Sequence, residues 1–285
     1  MELKLRKAKV NSMDLTTSKK LNNGVMMPVV GLGVYKSGDE TYDAVKAALE
    51  AGYRHIDTAA FYQNEDAVGA AIRDSGIKRE DIFVTTKLWR DDMVNGTQHK
   101  AFEESLKHLN MDYVDLYLIH WPMNISLEET WRIFEGIYKD KGARAIGVSN
   151  FHMQHLMRIM AAGTVVPAVN QLECHPYLNQ KPLRTFCNNL SIEVTAWSPL
   201  GRGRVLEDAI VESIAARHKK TPAQVVLRWE LQENMIVIPK SVHKARMIEN
   251  ADIFDFELSS EEMNEMNALN RNERFGPDPD TFEND

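Results

Sequence analysis

Only two cysteines, Cys174 and Cys187, occur in 285 residues, and neither lies in a paired C-x-x-C spacing. That argues against a disulfide framework and against a cysteine-based zinc cluster. No stretch approaches the ~18 consecutive apolar residues of a membrane-spanning helix. The opening residues carry Lys4, Arg6, Lys7 and Lys9 but lack the apolar run of a secretory signal, so a cytoplasmic protein is expected. Positive charge is in deficit, with 34 Lys and Arg against 41 Asp and Glu and a net charge of −7. Nucleic acid and anionic membranes are therefore poor general partners, and an anionic cofactor would need a local basic cluster. The full G-x-G-x-x-G fingerprint is missing, since Gly31-Leu32-Gly33 stops short of it. The strand ends also lack the clustered histidines and carboxylates of a metal-dependent hydrolase, so no metal is expected.

What the chain does have is alternation. Apolar runs rich in Val and Ile read as strands at Val29–Tyr35, His55–Ala59, Phe83–Lys87, Asp115–His120, Ala145–Ser149, Val169–Glu173, Val194–Trp197 and Val237–Pro239. Each is followed by a segment of helical period, such as Glu40–Ala51, Glu65–Asp74 and a helix ending at Leu109. Ser126 and Glu129 have the spacing of a capping box, and Thr221-Pro222 reads as a cap followed by proline at the first helical position. Eight uninterrupted strand–helix units imply a parallel sheet closed into an α/β (β/α)8 TIM barrel, which at ~250 residues forms one domain. An open doubly wound sheet is the competing topology. Thr16–Leu21 and Val25–Pro28 flank Asn22-Asn23-Gly24 as a β-hairpin fit to plug one end of the barrel. Residues 1–14 are expected to be a disordered or non-native extension, with 15–285 as the single domain. The tail from Arg271, with Pro277 and Pro279, reads as a C-terminal coil.

Barrels of this kind carry their chemistry at the C-terminal ends of the strands. Those ends present Asp57, Lys87 and His120, with Tyr62 in the loop just after Asp57. A tyrosine ionises near ~10, and a neighbouring ammonium favours its phenolate. A carboxylate would hold that lysine, and a histidine could position a carbonyl oxygen, which together make general-acid machinery for a developing alkoxide. Singly, each has a plainer explanation: Tyr62 as a half-buried ring, Lys87 as rim solvation, Asp57 as a helix cap, His120 as a structural histidine. Their placement at three successive strand ends favours the joint reading. The later strand ends suit binding. Ser149, Asn150 and Gln171 offer a hydroxyl and amides fit for a carboxamide. Trp197 can stack on a flat ring, and Ser198-Pro199-Leu200-Gly201 turns after it. Lys240, Ser241 and Arg246 gather cations and a hydroxyl beside a helix start, where anions bind. Cys174 beside His175 reads as a small buried hydrophobe rather than a thiol nucleophile.

These residues resemble the aldo-keto reductase superfamily over nearly the whole chain, from Leu21 to about Phe282. The resemblance is carried by Asp57-Thr58-Ala59-Ala60-Phe61-Tyr62, Thr86-Lys87-Leu88-Trp89, Leu118-Ile119-His120-Trp121-Pro122 and Ala145-Ile146-Gly147-Val148-Ser149-Asn150-Phe151. Ala196-Trp197-Ser198-Pro199-Leu200-Gly201 and Ile238-Pro239-Lys240-Ser241 complete it. It implies reversible hydride transfer between a dissociable NADPH and a small-molecule carbonyl substrate in a monomer. By similarity, Tyr62 would be the general acid, Lys87 its electrostatic partner, Asp57 the holder of Lys87 and His120 the orienter. Ser149, Asn150 and Gln171 would hold the nicotinamide carboxamide under a stacked Trp197, with Ser198 and Leu200 also at the cofactor. Lys240, Ser241 and Arg246 would take the adenosine 2′-phosphate, and Glu249 with Asn250 the adenine. Tyr35, Trp89 and Trp121 would line an aromatic pocket. A tryptophan at position 197 resembles the microbial branch, which includes prostaglandin F synthase-like and 2,5-diketo-gluconate reductase-like enzymes. Short segments at Pro122–Ser126 and Gly201–Glu207 imply an open pocket and a broad range of aldehydes. Arg202 and Arg204 fit either acidic substrates or the cofactor's pyrophosphate. Two other readings compete: a Schiff-base aldolase built on Lys87, and a cofactor-sensing subunit with little chemistry.

Overall fold

The computed structural model describes residues 13–282, so most of the expected N-terminal extension lies outside the described residues. The chain opens with a hairpin of β1 (Ser18–Lys20) and β2 (Met26–Pro28), paired antiparallel through Lys19 and Met27. Eight parallel strands follow: β3 (Leu32–Gly33), β4 (His55–Asp57), β5 (Phe83–Leu88), β6 (Val114–Ile119), β7 (Ala143–Ser149), β8 (Val169–Glu173), β9 (Glu193–Trp197) and β10 (Ile236–Val237). They lie in sequence order across one sheet, with helices in every connection. The sheet closes on itself. Val30 bridges Val237 and Gly33 bridges Lys240, both parallel, while the Gly31 amide donates to the Val237 carbonyl at 2.8 Å. The seam requires glycine, because a Cβ on Gly33 would lie 2.9 Å from the Ile238 carbonyl oxygen and one on Gly31 would strike the His55 ring.

Both faces of these strands are buried, which explains their continuous apolar runs. Inside the barrel, Phe83, Leu116, Leu118, Ala145, Val169 and Ile236 pack with Leu21 and Met27 of the hairpin. The hairpin thus closes the N-terminal end, as its turn residues lead one to expect. Outside, residues such as Tyr117 and Val148 meet the helices, with Tyr117 stacked on Phe134 at 4.6 Å.

Local details depart from expectation: the strands read as His55–Ala59 and Val237–Pro239 are His55–Asp57 and Ile236–Val237. The first strand is shorter, because Val34 and Tyr35 already leave the sheet. The helix after β5 is broken into Arg90–Asn95 and Gln98–Leu109 at Gly96, whose φ is 69°. Ser126 does not cap its helix; at φ 56° its hydroxyl instead donates to the Met93 carbonyl, tying the loop after β6 to the helix Arg90–Asn95. The Thr221 cap is present, with the Thr221 hydroxyl accepting from the Gln224 amide and the Gln224 side chain accepting from the Thr221 amide. Among the described residues no helix is long and apolar enough to cross a membrane.

One core feature gives a pH prediction. Burial pushes His55 and His155 down to about 4 from the ordinary 6.5, against partial support from Asp57 and Asp280 respectively. Both stay neutral in the folded chain while the unfolded chain takes up protons below the ordinary value. Their contribution to stability is therefore fully present above pH 6.5 and is lost as pH falls toward 4. The urea midpoint should decline through that window. A His55→Gln variant should be less stable at neutral pH yet decline less steeply, and an unchanged slope would contradict this assignment.

Candidate active site

Three strand ends and one turn build the centre. β4 ends on Asp57, β5 delivers Lys87 as its penultimate residue, and His120 follows β6 directly. A 3-10 turn over Ala60–Tyr62 brings Tyr62 back over them. The Lys87 ammonium donates to Asp57 Oδ1 at 2.5 Å, to the Thr58 carbonyl at 2.8 Å and to Tyr62 Oη at 3.5 Å. Its three protons thus have three acceptors. That leaves no lone pair for imine formation and removes support from the aldolase reading. Lys87 and Asp57 are almost wholly inaccessible, at 0% and 2% exposure. Such a pair has lost its hydration and stands only because each charge meets the other.

Burial sets the protonation states. It lowers Lys87, opposed by Asp57, and it raises Tyr62 well above the usual tyrosine value, with Asp57 and Tyr35 adding to the rise. The sequence argument that the ammonium lowers the phenol is not met, because burial of the phenol, with Asp57 adding to it, outweighs that charge. The consequence is a phenol that keeps its proton throughout the neutral range. His120 is driven well below the ordinary imidazole value by burial and then by the Lys87 charge, so it is neutral. Its Nδ1 is buried without a hydrogen-bond partner among the described residues. The Tyr62 and His120 rings meet edge to face at 5.7 Å.

On the other side of the mouth, Ser149, Asn150, Gln171 and Trp197 form one network. Trp197 Nε1 donates to Asn150 Oδ1 at 2.8 Å, and Asn150 Nδ2 donates to the His120 carbonyl at 3.0 Å. The Ser149 hydroxyl donates to the Gln171 carbonyl at 2.9 Å. Gln171 Nε2 donates to Asp57 Oδ2 at 2.7 Å, a link to the proton-transfer group that the sequence did not suggest. Ser198, at φ 49°, begins the turn closed by the Gly201 amide on its carbonyl, and Leu200 is half-buried there.

Lys240 lies just before the helix Lys244–Ala251 and Arg246 in its first turn; both are exposed, and neither makes an ion pair among the described residues. Lys244, by contrast, is paired with Glu50 at 2.8 Å. Ser241 caps the local turn through His243. Glu249 accepts from the Thr221 hydroxyl at 2.9 Å, and Asn250 is buried on the same turn. Arg202 and Arg204 are both exposed, with Arg204 over the Phe275 ring and 4.0 Å from Glu273.

The aromatic mouth is larger than expected. Tyr35 lies 5.0 Å from Tyr62, and Trp89 and Trp121 are present as anticipated. Phe61 stacks on Trp89 at 3.8 Å, and Phe282 stacks on Trp121 at 4.1 Å while its carbonyl accepts from Arg90. Sequence reasoning missed both. The available signals were Phe61 directly before Tyr62 in a tight turn, and Phe282 as one of two phenylalanines, with Phe275, in an otherwise polar tail. Among the described residues, His152, Asp278 and Asp280 bring ligand atoms within 4.8 Å of one another, with His152 already bonded to Asp280 at 2.8 Å.

Comparison with known proteins agrees with this geometry. The pattern of the Aldo/keto reductase family matches residues 26–271. A glyoxal reductase of Bacillus subtilis is 51% identical over 268 residues, spanning 93% of this chain and 97% of its own. A 9,11-endoperoxide prostaglandin H2 reductase of Trypanosoma cruzi is 48% identical, spanning 92% of this chain and 94% of its own. Among solved structures, an aldo-keto reductase from a Medee basin deep-sea metagenome library superimposes with a TM-score of 0.90 at 44% identity, covering 92% of this chain and 98% of that one.

Proposed function

The chain belongs to the aldo/keto reductase family, and from that premise we propose that it reduces aldehydes, dicarbonyls and reactive ketones to alcohols, with NADPH as hydride donor and Tyr62 as proton donor. As a member of that family it is an oxidoreductase of small-molecule carbonyls that uses a nicotinamide cofactor. The observation that carries the finer reading is the contact of Lys87 with Asp57, Thr58 and Tyr62 beneath a mouth lined by aromatic rings.

Lys240 and Arg246 fit a cofactor bearing a 2′-phosphate, because both are solvent-facing cations at a helix start with no anionic partner among the described residues. Bound NADPH would supply the hydride. Trp197 would take the nicotinamide ring, with Ser149, Asn150 and Gln171 around its carboxamide and Ser198 and Leu200 in the turn alongside. Lys240, Ser241 and Arg246 would hold the phosphate, and Glu249 with Asn250 the adenine. Neutral His120 orients the carbonyl oxygen toward Tyr62. The phenol gives its proton to the oxygen as negative charge develops there, and Lys87 stabilises the phenolate left behind. Asp57 keeps Lys87 charged and aimed. Tyr35, Trp89 and Trp121 favour apolar and planar carbonyl compounds, and the similarity to a glyoxal reductase supports the dicarbonyls. The same reading makes residues 15–285 a single-domain, monomeric, cytoplasmic enzyme with no nucleic-acid or membrane partner.

Cofactor choice tests the basic cluster. Arg246→Ala should raise the KM for NADPH about tenfold, as expected on losing one charge-assisted contact, while leaving that for NADH nearly unchanged. Equal losses with both cofactors would remove the phosphate from Arg246.

A further inference from the structure

Glu173 is the last residue of β8 and is wholly buried, yet no role at the centre has been given to it. In the parallel register it stands beside Trp197, two residues along the strand from Gln171. Its carboxylate faces the C-terminal tail. Oε1 accepts the Phe275 amide at 2.7 Å and Oε2 accepts the Gly276 amide at 2.9 Å. His175 Nε2 lies 3.0 Å from Oε1, and the Arg274 guanidinium is 3.9 Å from Oε2. Burial by itself raises this carboxyl, but the bonds from His175 and the two amides outweigh it and hold the group below the usual glutamate value. The Phe275 ring stacks on the His175 ring at 4.8 Å and 14°.

The contact continues into the cofactor side of the mouth. Gly276 lies against the six-membered edge of Trp197, so closely that a Cβ there would stand 2.5 Å from Cη2. Trp197 is therefore stopped at both ends, by Asn150 at its Nε1 and by Gly276 at its far edge. Beyond Gly276 the tail passes Asp280, which takes bonds from His152 and Gln154, and reaches Phe282 on Trp121. One buried carboxylate thus grips the tail at Phe275 and Gly276, where it meets Trp197, ahead of its further ties at Asp280 and Phe282.

We propose that Glu173 is a positioning residue: by gripping the Phe275 and Gly276 amides it holds the tail across the mouth and sets the angle of Trp197. Its kinetic consequence rests on the proposed role of Trp197 at the nicotinamide; the grip itself does not.

The test uses the full chain carrying Glu173→Gln, Gly276→Pro, or both, read by hydrogen exchange and by steady-state kinetics with NADPH and a reactive aldehyde. Gln replaces one acceptor with a donor, and Pro removes the Gly276 N–H; because its Cβ also meets Trp197 Cη2 at 2.5 Å, Gly276→Ala, which carries the same Cβ but keeps the N–H, is the reference against which Gly276→Pro is read. Each single variant should speed exchange across residues 275–282 about tenfold or more, the scale of a lost charge-assisted bond, with β8 and β9 amides unchanged. KM for aldehyde and cofactor should rise more than kcat falls, and the double variant should be no worse than the worse single one, because both cut the same tether. Native exchange in the tail of Glu173→Gln, faster exchange spread through β8 and β9, or additive losses would each overturn the proposal. If Glu173→Gln does not fold, Gly276→Pro decides against Gly276→Ala: faster tail exchange and higher KM in Pro than in Ala uphold the proposal, and equal values in the two overturn it. A chain that reduces no carbonyl would fail the proposed function, while the exchange result would still decide the grip.

Discussion

Tyr62→Phe should lower kcat for aldehyde reduction by about 10²–10⁴-fold, the usual contribution of a positioned general acid, while leaving NADPH affinity within a few-fold of native. The substitution removes one oxygen from a half-buried ring and keeps its packing against Tyr35 and His120. Among the described residues no other phenol contacts Lys87. Tyr35 is the nearest hydroxyl-bearing ring, but it is 44% exposed and makes no contact with Lys87 among the described residues. The pH dependence carries a sign that separates this account from an ordinary surface tyrosine. Burial raises the phenol above its usual value of 10.0, so the acid form persists across the neutral range. Reduction should therefore be flat from about neutrality up to that value and fall only above it. A fall near pH 7 would mean that another group, with a pKa near neutrality, supplies the proton.

The second large effect concerns stability. Lys87→Met should destabilise the fold by about 3–5 kcal/mol, because it leaves the Asp57 carboxylate buried without its counter-charge. For a chain of this size that is on the order of 10 °C in melting temperature. Asp57 would keep the Gln171 bond, which a single neutral donor cannot make equal to an ammonium. Two controls distinguish charge burial from lost packing. Asp57→Asn combined with Lys87→Met should recover much of the loss, since neither charge is then stranded. The single variant's deficit should also shrink on acidification: an unpaired buried carboxyl has a raised pKa, and its penalty grows as pH rises above the unfolded value. A Lys87→Met chain as stable as native would mean that the pair is not isolated from water. Activity should vanish in both variants, since each removes the group that balances the phenolate.

Much of this was legible in the sequence for a physical reason. Strands buried on both faces leave uninterrupted apolar runs, and a barrel must place each run's last polar residue at one rim, so Asp57, Lys87 and His120 could be grouped without coordinates. Thr221-Pro222 and Asn22-Asn23-Gly24 were equally readable, because each encodes a local backbone shape. Contacts formed between distant segments were not. Ser126 has the spacing of a cap, but a left-handed backbone turns its hydroxyl to Met93. The Gln171–Asp57 bond joins residues 114 apart, and the tail's hold on Glu173 spans about a hundred more positions of unrelated chain. Phe282 sits in a segment whose composition says only coil. The direction of the Tyr62 shift was also beyond reach, since it depends on how far burial and Asp57 outweigh one ammonium.

The central claim is that hydride from NADPH reaches a carbonyl carbon at this mouth. The most direct measurement offers the native chain glyoxal and NADPH deuterated at the transferring carbon of the nicotinamide, then follows cofactor oxidation and product mass together. The account predicts one cofactor consumed per alcohol formed, with a single deuterium on the new carbinol carbon. Saturable NADPH binding with no consumption across aldehydes, ketones and dicarbonyls, or an alcohol free of deuterium, would contradict it.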